Sequence, residues 1–311
     1  MAGGYQTAVR AAFAVSGCGA HAARMVAVIG VGAIGGVCAA ELAVGGHSVT
    51  GCVRRPFHQL HLEAPDHVHR VTLPLVTDPR LPAPPELEWC LLATKATQTD
   101  EAMRWFEAWD TGTTRLAVLQ NGVEHVERVS RWVGAERVVP VVVGCPATAV
   151  APGHVVQRAS ATLWDPDDDG GRAFAALFDD TAIEVTKTGD STTAAWRKLC
   201  LNVVGGAIAA LAGRPMPQVR HPKKAELALA LALECAAVAR AEGADLDDAF
   251  ATRMAGAQAA ATTGGTPSTL TDRLAGRPLE ADARNGTVAR IGARHGLTAP
   301  LNERAAALMA Q

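Results

Sequence analysis

From residue 25 onward, short apolar runs alternate with segments in which apolar residues recur every three or four positions. The apolar runs are MVAVI (25–29), HSVTGCV (47–53), EWCLLATK (88–95), RLAVLQNG (115–122) and RVVPVVVG (137–144). Nearly continuous apolar strands that alternate with helices are typical of a parallel sheet covered on both faces. We therefore expect an α/β fold whose N-terminal part, residues 25–188, is a doubly wound Rossmann sheet.

The pattern changes after residue 189, where Asp190 and Ser191 are suitable residues to cap a helix. The sequence that follows is rich in alanine and poor in β-branched runs, and it is broken by GRP (213–215) and GGTP (264–267). Residues 189–311 are therefore expected to form a second, all-helical domain.

The residues before the first apolar run, 1–24, are interpreted as a disordered tail or as a mis-assigned start upstream of Met25. The alternative is a lipoprotein signal, because VSGC (15–18) resembles the cleavage motif of such signals. Arg10 interrupts the already short apolar region that a signal needs, so the sequence favours the first interpretation.

The composition of the chain argues against nucleic acid and membranes as binding partners. A formal net charge of -2 and a pI near 6.6 give no basic field for nucleic acid, and no block of like charges suggests a membrane surface. The most apolar segment, LALALALECAAVA (227–239), is too short to span a bilayer and carries Glu234, so we expect a core helix. The expected partner is a small molecule, bound by a monomer or a homodimer.

The cysteines indicate the compartment. The chain has 7 of them, spread singly, without a CxxC pair and mostly inside apolar runs. Such spacing suits buried, reduced thiols rather than a disulfide framework. We therefore expect a cytoplasmic protein.

The first apolar run leads directly into a glycine motif, GVGAIG, and then into a helical segment. Its residues are Gly30, Val31, Gly32, Ala33, Ile34 and Gly35. Between a strand and a helix, the first glycine makes the turn, the second lets the backbone approach a pyrophosphate, and the third lets the helix pack on the strand. The motif predicts a dinucleotide site.

The residues that follow the later strands indicate which dinucleotide is bound. An NAD enzyme would place an acidic residue after the second strand, but the chain reads CVRRP there, and Arg54 or Arg55 can pair with a 2′-phosphate. The cofactor is therefore predicted to be NADPH, with Arg54 preferred. Lys95 and Asn121 follow two further strands, where both are placed to contact the nicotinamide side of the cofactor.

Trp196–Gly206, WRKLCLNVVGG, carries a second polar stripe. At a helical step of about 100° per residue, Lys198, Asn202, Gly205 and Gly206 share one face, opposite an apolar side. A polar pair flanked by the smallest side chains suggests space for a ligand.

Near the C-terminus, TPSTLTDRLAGRPLEADARNG (266–286) contains two further candidates. Ser268 is placed to cap a short helix, and Glu280 to lie in the first turn of the next one, where a helix dipole favours a carboxylate.

Taken in this order, GVGAIG, LLATK, LQNG, WRKLCLN and PSTLTDRLAGRPLEAD resemble the ketopantoate reductase (2-dehydropantoate 2-reductase) family over about residues 25–309. The resemblance implies that NADPH lies in the Rossmann domain and that a 2-oxo acid, 2-dehydropantoate, is reduced between the two domains for pantothenate and coenzyme A synthesis. It assigns Lys198 as the general acid, and Asn121 and Lys95 to the nicotinamide side. Asn202, Ser268 and Glu280, together with Asn121, would bind the polar groups of the substrate.

One position departs from the family pattern, which has a second asparagine where this chain has Gly206. A reductase of the same fold with another carbonyl substrate therefore remains an alternative. A non-catalytic NADP-binding sensor is a second one, although a sensor needs no proton donor such as Lys198.

The histidines of HQLHLEAPDHVH (58–69) raise the question of a metal. No cysteine or carboxylate pattern of known metal spacing accompanies them, and hydride transfer needs no metal. We expect surface histidines in a loop or short helix, and no metal site.

Overall fold

The computed structural model describes residues 22–262 and 265–311, which form two compact units. Within these ranges, the first unit runs to Gln120 and resumes at His125–Gly189, and the second contains Asn121–Glu124 and Asp190–Gln311. The expected tail is described only at its last three residues, which have no regular structure. The VSGC motif with Cys18, and residues 263–264, the second of which begins the GGTP break, lie outside the described residues.

The first unit consists of strands connected by helices and loops. Its strands are β1 Met25–Ile29, β2 Ser48–Cys52, β3 Leu60–Glu63, β4 Val68–Val71, β5 Leu75–Val76, β6 Trp89–Leu92, β7 Arg115–Val118, β8 Val138–Pro140, β9 Val142–Gly144, β10 Ala147–Ala151, β11 His154–Gln157, β12 Thr162–Pro166 and β13 Glu184–Thr188. Its helices are α1 Ala33–Val44, α2 Thr99–Trp109, α3 His125–Val129 and α4 Asp169–Ala175.

A six-stranded parallel sheet in the order β5-β2-β1-β6-β7-β8 forms the centre of this unit. The chain leaves β1 toward β2 on one side and later returns to β6 on the other, which creates a topological switch point. Open α/β sheets bind ligands at the carboxyl ends of the strands at such a point. Two smaller sheets, β10-β11-β3-β4 and β13-β12-β9, complete the unit.

The alternating side chains of β1 show how the sheet is buried on both faces. Val26 and Val28 belong to one apolar cluster, which includes the buried side of α1. Ala27 and Ile29 belong to another, which includes the buried side of α2. All four side chains are at most 1% exposed. Burial on both faces explains why the strand sequences are nearly uninterrupted apolar runs.

Two local expectations for this unit were wrong. The run 137–144 is not one strand: β8 belongs to the parallel sheet and β9 to the three-stranded sheet, with Pro140, which lacks a backbone donor, at the break. The histidine segment is not a loop or short helix but the antiparallel hairpin of β3 and β4. In β3, Leu60 and Leu62 are fully buried and alternate with more exposed residues, a strand pattern that the histidines obscured.

Residues 121–124 belong to the helical unit, although the sequence placed them in the first domain. The Glu124 carboxylate explains this assignment. It accepts hydrogen bonds from Arg290 Nη2 at 2.7 Å, Arg290 Nε at 3.1 Å and Thr287 Oγ1 at 2.8 Å. Hydrogen bonding to Glu124 raises the pKa of Arg290. These partners are more than 160 residues away in sequence, so no local pattern could have indicated them.

The rest of the second unit is helical. Its elements are α5 Ser191–Leu201, a π-helical turn Asn202–Gly206, α6 Ala207–Ala212, α7 Lys224–Ala241, α8 Asp248–Ala260, α9 Ser268–Leu274, a second π-helical turn Asp282–Gly286, α10 Thr287–Arg294 and α11 Pro300–Met309. Asp190 caps α5 as predicted, since its carboxylate accepts from the Thr193 N–H at 2.8 Å. The predicted Rossmann sheet and all-helical second part are both confirmed.

The helical unit has its own core, formed by the apolar sides of α5, α6 and α7. Ser191–Ala212 is a continuous helical run of 22 residues with a hydropathy of 1.2, long and apolar enough to cross a membrane by those measures alone. However, 61% of that window is buried inside the fold, as in a core helix. The segment 227–239 lies within α7 and supplies buried residues such as Leu231 and Cys235, as expected of a core helix.

Candidate active site

The turn between β1 and α1 shows three different uses of glycine. Gly30 has a φ of +93°, a conformation that L side chains rarely adopt. A Cβ on Gly35 would lie 2.0 Å from the Gly30 carbonyl oxygen, so only glycine allows the helix to approach the strand this closely. A Cβ on Gly32, by contrast, would meet none of the described residues within 4 Å. The backbone at Gly32 is therefore open to an approaching ligand.

The N-terminus of α1 is open as well. Gly32 occupies the N-cap position without a side-chain cap, and the first turn, which begins with Ala33 and Ile34, carries no acidic residue. The first N–H groups of a helix have no intrahelical acceptor, and the helix dipole favours an anion beside them. Val31 completes the turn and is partly exposed. These residues fit the pyrophosphate of a dinucleotide.

Arg54 and Arg55 follow β2 at the carboxyl edge of the parallel sheet, and both are exposed. Within the described residues, Arg54 and not Arg55 is oriented by a side-chain contact, which comes from the turn after β6. When the Gln98 amide oxygen faces it, this oxygen lies 3.1 Å from Arg54 Nη2 and 3.3 Å from Nη1. Gln98 belongs to the short helical turn Ala96–Gln98 that follows β6. The preference for Arg54 over Arg55 remains a prediction, which this contact supports.

Lys95 is half-buried at the start of the turn Ala96–Gln98. Its backbone is held by Gln120, a buried residue at the end of β7 whose Nε2 donates to the Lys95 carbonyl at 3.4 Å and to Thr94 Oγ1 at 3.2 Å. The Gln120 amide oxygen accepts from Thr99 Oγ1 at 3.0 Å. Gln120 thus fixes the loop that carries Lys95, a role that the sequence did not reveal.

Lys198 and Asn202 lie on the first helix of the second unit, and both are half-buried. Lys198 is in the last turn of α5, and Asn202 begins the π-helical turn that follows. The opposite side of this helix, including Trp196, Leu199 and Val203, is at most 2% exposed, as the stripe pattern predicted. A π-helical turn widens the helix by one residue and is frequent at functional sites.

A chain of side-chain hydrogen bonds joins four of the predicted substrate-binding residues with one that was not predicted. Asn202 Nδ2 donates to Asn121 Oδ1 at 3.3 Å, and Asn121 Nδ2 donates to Glu280 Oε2 at 3.0 Å. Arg284 Nη2 donates to the same Glu280 oxygen at 3.1 Å and to Ser268 Oγ at 2.9 Å. We call these five residues the polar cluster. They all belong to the helical unit.

Burial varies through the polar cluster. Glu280 and Arg284 are each 3% exposed, Asn121 and Asn202 are half-buried, and Ser268 is exposed. Two opposite charges buried together compensate each other, whereas either one alone would carry a large desolvation cost. The cluster therefore presents amide and hydroxyl groups beside a neutralised ion pair, an arrangement suited to a polar, anionic small molecule.

Arg284 is the cluster member that sequence reasoning missed. Its Nη1 also donates to Thr269 Oγ1 at 2.8 Å, while its buried Nε has no hydrogen-bond partner in the described part of the chain. The available signal was the spacing, because Glu280 and Arg284 are four residues apart and can pair on one helical face.

The glycines of the polar stripe do not leave empty space, so that interpretation was wrong. A Cβ on Gly205 would lie 2.5 Å from the Gln258 side-chain oxygen. A Cβ on Gly206 would lie 3.0 Å from Thr269 Oγ1 and 3.3 Å from Arg284 Nη1. The protein's own polar side chains occupy the volume beside both glycines.

Two expectations about local roles were also wrong. Ser268 does not cap α9, because Pro267 holds the N-cap position and the Ser268 hydroxyl accepts from Arg284 instead. Glu280 does not lie in the first turn of a helix, since it precedes the π-helical turn Asp282–Gly286, and Arg284, not a helix dipole, balances its charge.

Comparison with known proteins gives the family. The family model described as ketopantoate reductase PanE/ApbA matches residues 26–169, and the one for the C-terminal part of ketopantoate reductase PanE/ApbA matches residues 190–311. A 2-dehydropantoate 2-reductase from Caulobacter vibrioides is 43% identical over 285 residues, which cover 91% of this chain and 97% of that relative.

Solved structures agree in fold. A 2-dehydropantoate 2-reductase from Geobacter metallireducens matches with a TM-score of 0.83 at 25% identity, covering 92% of this chain and 98% of that one. A D-mandelate dehydrogenase, solved with NADH and anilino(oxo)acetate, matches with a TM-score of 0.82, covering 92% and 97%, but at 20% identity it shows the fold alone. The resemblance seen in the sequence motifs is thus confirmed, and the chain belongs to the ketopantoate reductase PanE/ApbA family of oxidoreductases.

Proposed function

We propose that the protein reduces 2-dehydropantoate to (R)-pantoate with NADPH, a step that leads to pantothenate and coenzyme A. The observation that carries the proposal is the polar cluster, in which Asn121, Asn202, Ser268, Glu280 and Arg284 are joined by hydrogen bonds next to the helix that bears Lys198. The names of the relatives support the same substrate.

In the proposed reaction, bound NADPH supplies a hydride to the carbonyl carbon of the 2-oxo acid. Negative charge develops on the carbonyl oxygen as the carbon is reduced. Lys198 stabilises that charge and delivers the proton that completes the alcohol. Positioned acids of this kind contribute about 10²- to 10⁴-fold to the rate.

The cluster's own groups would orient the substrate. Asn202 lies one helical turn beyond Lys198, so an amide is available beside the proton donor. Asn121 connects that amide to Glu280, whose carboxylate can accept from the substrate hydroxyl of ketopantoate. Arg284 neutralises Glu280, which reduces the repulsion between this carboxylate and the carboxylate of a 2-oxo acid.

The choice of NADPH is supported by the residues after β2. No acidic residue occupies CVRRP, where an NAD enzyme would hold the ribose hydroxyls, and Arg54 is held at that strand end by Gln98. The thiols of Cys38, Cys90 and Cys235 are buried and unpaired, which suits the reducing cytoplasm in which NADPH is used.

A second candidate function is reduction of another 2-oxo acid by the same fold. The specific observation behind it is Gly206, beside which Thr269 and Arg284 fill the volume and change the groups available to a substrate. A D-mandelate dehydrogenase of this fold was solved with NADH, so both substrate and cofactor require a direct test.

The test measures oxidation of NADPH and NADH by the full chain with ketopantoate, pyruvate, 2-oxoisovalerate and benzoylformate. We expect ketopantoate with NADPH to give by far the highest kcat/KM. A higher value for another acid would assign the second candidate function, and tight cofactor binding without turnover of any acid would identify a sensor.

The same assay tests the cofactor assignment with a matched pair of variants. A hydrogen bond to a charged group contributes about 1.5–3 kcal/mol, so Arg54→Ala should lower the preference for NADPH over NADH by about 10- to 100-fold. Arg55→Ala, the neighbouring exposed arginine, should leave the preference unchanged. The opposite result would assign the 2′-phosphate to Arg55.

A further inference from the structure

The four-stranded sheet β10-β11-β3-β4 brings together three side chains that are far apart in sequence. His154 on β11 is the register partner of His61 on β3, in parallel. Glu63 lies two residues beyond His61, and side chains two apart on a strand point to the same face. Leu60 and Leu62 alternate with them and are fully buried. The three polar side chains therefore share the sheet face directed away from that apolar core.

The ligand atoms of these residues are already close to each other. Glu63 Oε1 lies 2.9 Å from His154 Nε2 and 3.6 Å from His61 Nε2, and one ligand atom from each of the three residues lies within 4.8 Å of the others. The two imidazole rings are stacked, with centroids 4.7 Å apart and planes 8° apart. The hairpin and the parallel pairing of β11 with β3 thus hold two imidazoles beside one carboxylate. Because the lone pairs of parallel rings do not converge, one imidazole must rotate about its side-chain bonds before both nitrogens can bind the same ion.

These spacings match those of zinc ligands. Zinc takes nitrogen ligands at about 2.0–2.1 Å and carboxylate oxygens at about 2.0–2.2 Å in tetrahedral geometry, so a nitrogen and an oxygen ligand lie about 3.3–3.5 Å from each other. The two measured distances, 2.9 and 3.6 Å, lie on either side of this value. Two histidines and one glutamate form a common zinc ligand set that leaves a position open for water.

A second, independent observation points to a missing partner. His61 Nε2 is buried and has no hydrogen-bond partner in the described ranges of the chain. Buried polar atoms normally have a partner, and an unsatisfied one needs an explanation such as an ion. A metal ion between His61, Glu63 and His154 would provide one.

A similar group, Glu41, His67 and His69, lies elsewhere in the same unit, and its ligand atoms are also within 4.8 Å of one another. Both oxygens of the Glu41 carboxylate already accept hydrogen bonds from the protein. Glu41 is 3% exposed, accepts from His67 Nε2 at 2.7 Å through one oxygen, and accepts from the Ala182 N–H at 2.9 Å through the other. Metal binding there would disrupt a complete buried network, so this group is the weaker candidate.

We propose that His61, Glu63 and His154 bind a divalent transition-metal ion of the zinc type and thereby join strands β3 and β11. Binding needs the lone pair of each Nε2, so the Nε2 proton that His154 donates to Glu63 must be given up to solvent as the metal enters, while Nδ1 holds the one proton of the neutral ring. The side chains of the three residues are 26–44% exposed, which gives the ion access from solvent. The role is structural and independent of the proposed reductase activity.

The test is calorimetric titration of the full chain with Zn²⁺ after removal of metals by a chelator. We expect one zinc per chain, a rise in melting temperature with zinc, and tetrahedral absorption bands with Co²⁺ as a coloured probe. His154→Gln and Glu63→Gln should each weaken zinc binding by more than about 10-fold and abolish the stabilisation, since even removal of groups that only orient a ligand costs 10- to 100-fold.

Two control variants test whether the ion binds at these three residues and not at other histidines. His58→Gln removes an exposed histidine from the same region, and His67→Gln removes one from the Glu41 group; both should retain the zinc affinity of the unmodified protein. The circular dichroism of every variant without metal should match that of the unmodified protein. Loss of zinc binding in His67→Gln with retention in His154→Gln would overturn the proposal, and so would the absence of saturable binding.

Discussion

The glycine turn after β1 is formed by backbone within six consecutive residues, whereas the polar cluster of the helical unit is formed by side chains as far apart as Asn121 and Glu280, 159 residues in sequence. The turn depends on atoms that are absent, because a Cβ on Gly35 would overlap the Gly30 carbonyl. The cluster depends on atoms that are present, because the charges of Glu280 and Arg284 compensate each other. The two regions should therefore fail in different ways.

The largest effect on folding is expected from breaking the buried ion pair of the cluster. Arg284→Met removes the guanidinium that pairs with Glu280, a carboxylate only 3% exposed, and removal of one partner of a buried pair costs about 3–5 kcal/mol. Urea denaturation should show this loss in the free energy of unfolding. The double variant Arg284→Met/Glu280→Gln should recover much of it, because no uncompensated charge remains.

An exposed ion pair of the same unit is the control. Arg240 Nη1 lies 2.8 Å from Asp248 Oδ1, with side chains 43% and 67% exposed. Solvent screens such a pair, so Arg240→Met should cost about 0–1 kcal/mol. An equal loss in both single variants would contradict the view that burial makes the cluster sensitive to charge.

The turn should instead be sensitive to added volume. Gly35→Ala places a methyl group 2.0 Å from a backbone oxygen, and such overpacking costs about 1–3 kcal/mol or more. Thermal unfolding and fluorescence titration with NADPH should both show a loss, because α1 must move away from β1.

Gly32→Ala separates the contribution of the turn to stability from its contribution to cofactor binding. In the part of the chain that the structure describes, its methyl group would meet no atom within 4 Å, so the melting temperature should remain close to that of the unmodified protein. NADPH affinity should nevertheless fall, since the methyl group occupies the path by which the phosphates approach the backbone. Unchanged NADPH binding in Gly32→Ala would remove the turn from the cofactor site.

A further effect, on the pH dependence of stability, concerns a buried carboxylate of the first unit that, unlike Glu280, forms no ion pair within the described residues. Asp165 is fully buried, neither of its oxygens has a hydrogen-bond partner in the described residues, and burial raises the pKa of its carboxyl to about 6. The folded protein therefore retains a proton that the unfolded chain releases from about pH 4 upward. The free energy of unfolding should fall as pH rises toward 6 and stay low above it.

Asp165→Asn should remove this dependence. At pH 7.5 the amide avoids the buried charge and should raise the free energy of unfolding by about 3 kcal/mol at most, while near pH 4 the variant and the unmodified protein should match. Asp167→Asn, a change at a neighbouring residue with a 55% exposed side chain, is the control and should have a much smaller effect at either pH, because solvent screens its charge. Melting curves across this pH range measure both.

The difference between the two regions also explains what the sequence could predict. The Rossmann sheet, the helical second unit and the glycine turn follow from apolar periodicity and from residues that are neighbours along the chain. Lys198 and Asn202 share a helix face for the same reason. Arg284 was missed because its neighbours Ser268 and Thr269 reach it only through the tertiary fold.

Local patterns also gave wrong interpretations where distant residues determine the environment. Gly206 suggested space for a ligand, yet Thr269 and Arg284 fill it. The histidine segment was expected to be an ordinary surface loop, yet pairing with β11 brings His154 to His61 and Glu63. In both cases the relevant contact joins segments more than 60 residues apart, which periodicity does not report.

The most direct test of the central claim compares the full chain with its Lys198→Ala variant, using Lys223→Ala as an exposed control in the same unit. The dissociation constant of NADPH and the kcat for ketopantoate are measured for each. We expect kcat to fall by about 10²- to 10⁴-fold in Lys198→Ala alone, with NADPH binding unchanged in all three proteins. A Lys198→Ala variant that turns over ketopantoate as fast as the unmodified protein would contradict the assignment of the proton donor to the helical unit.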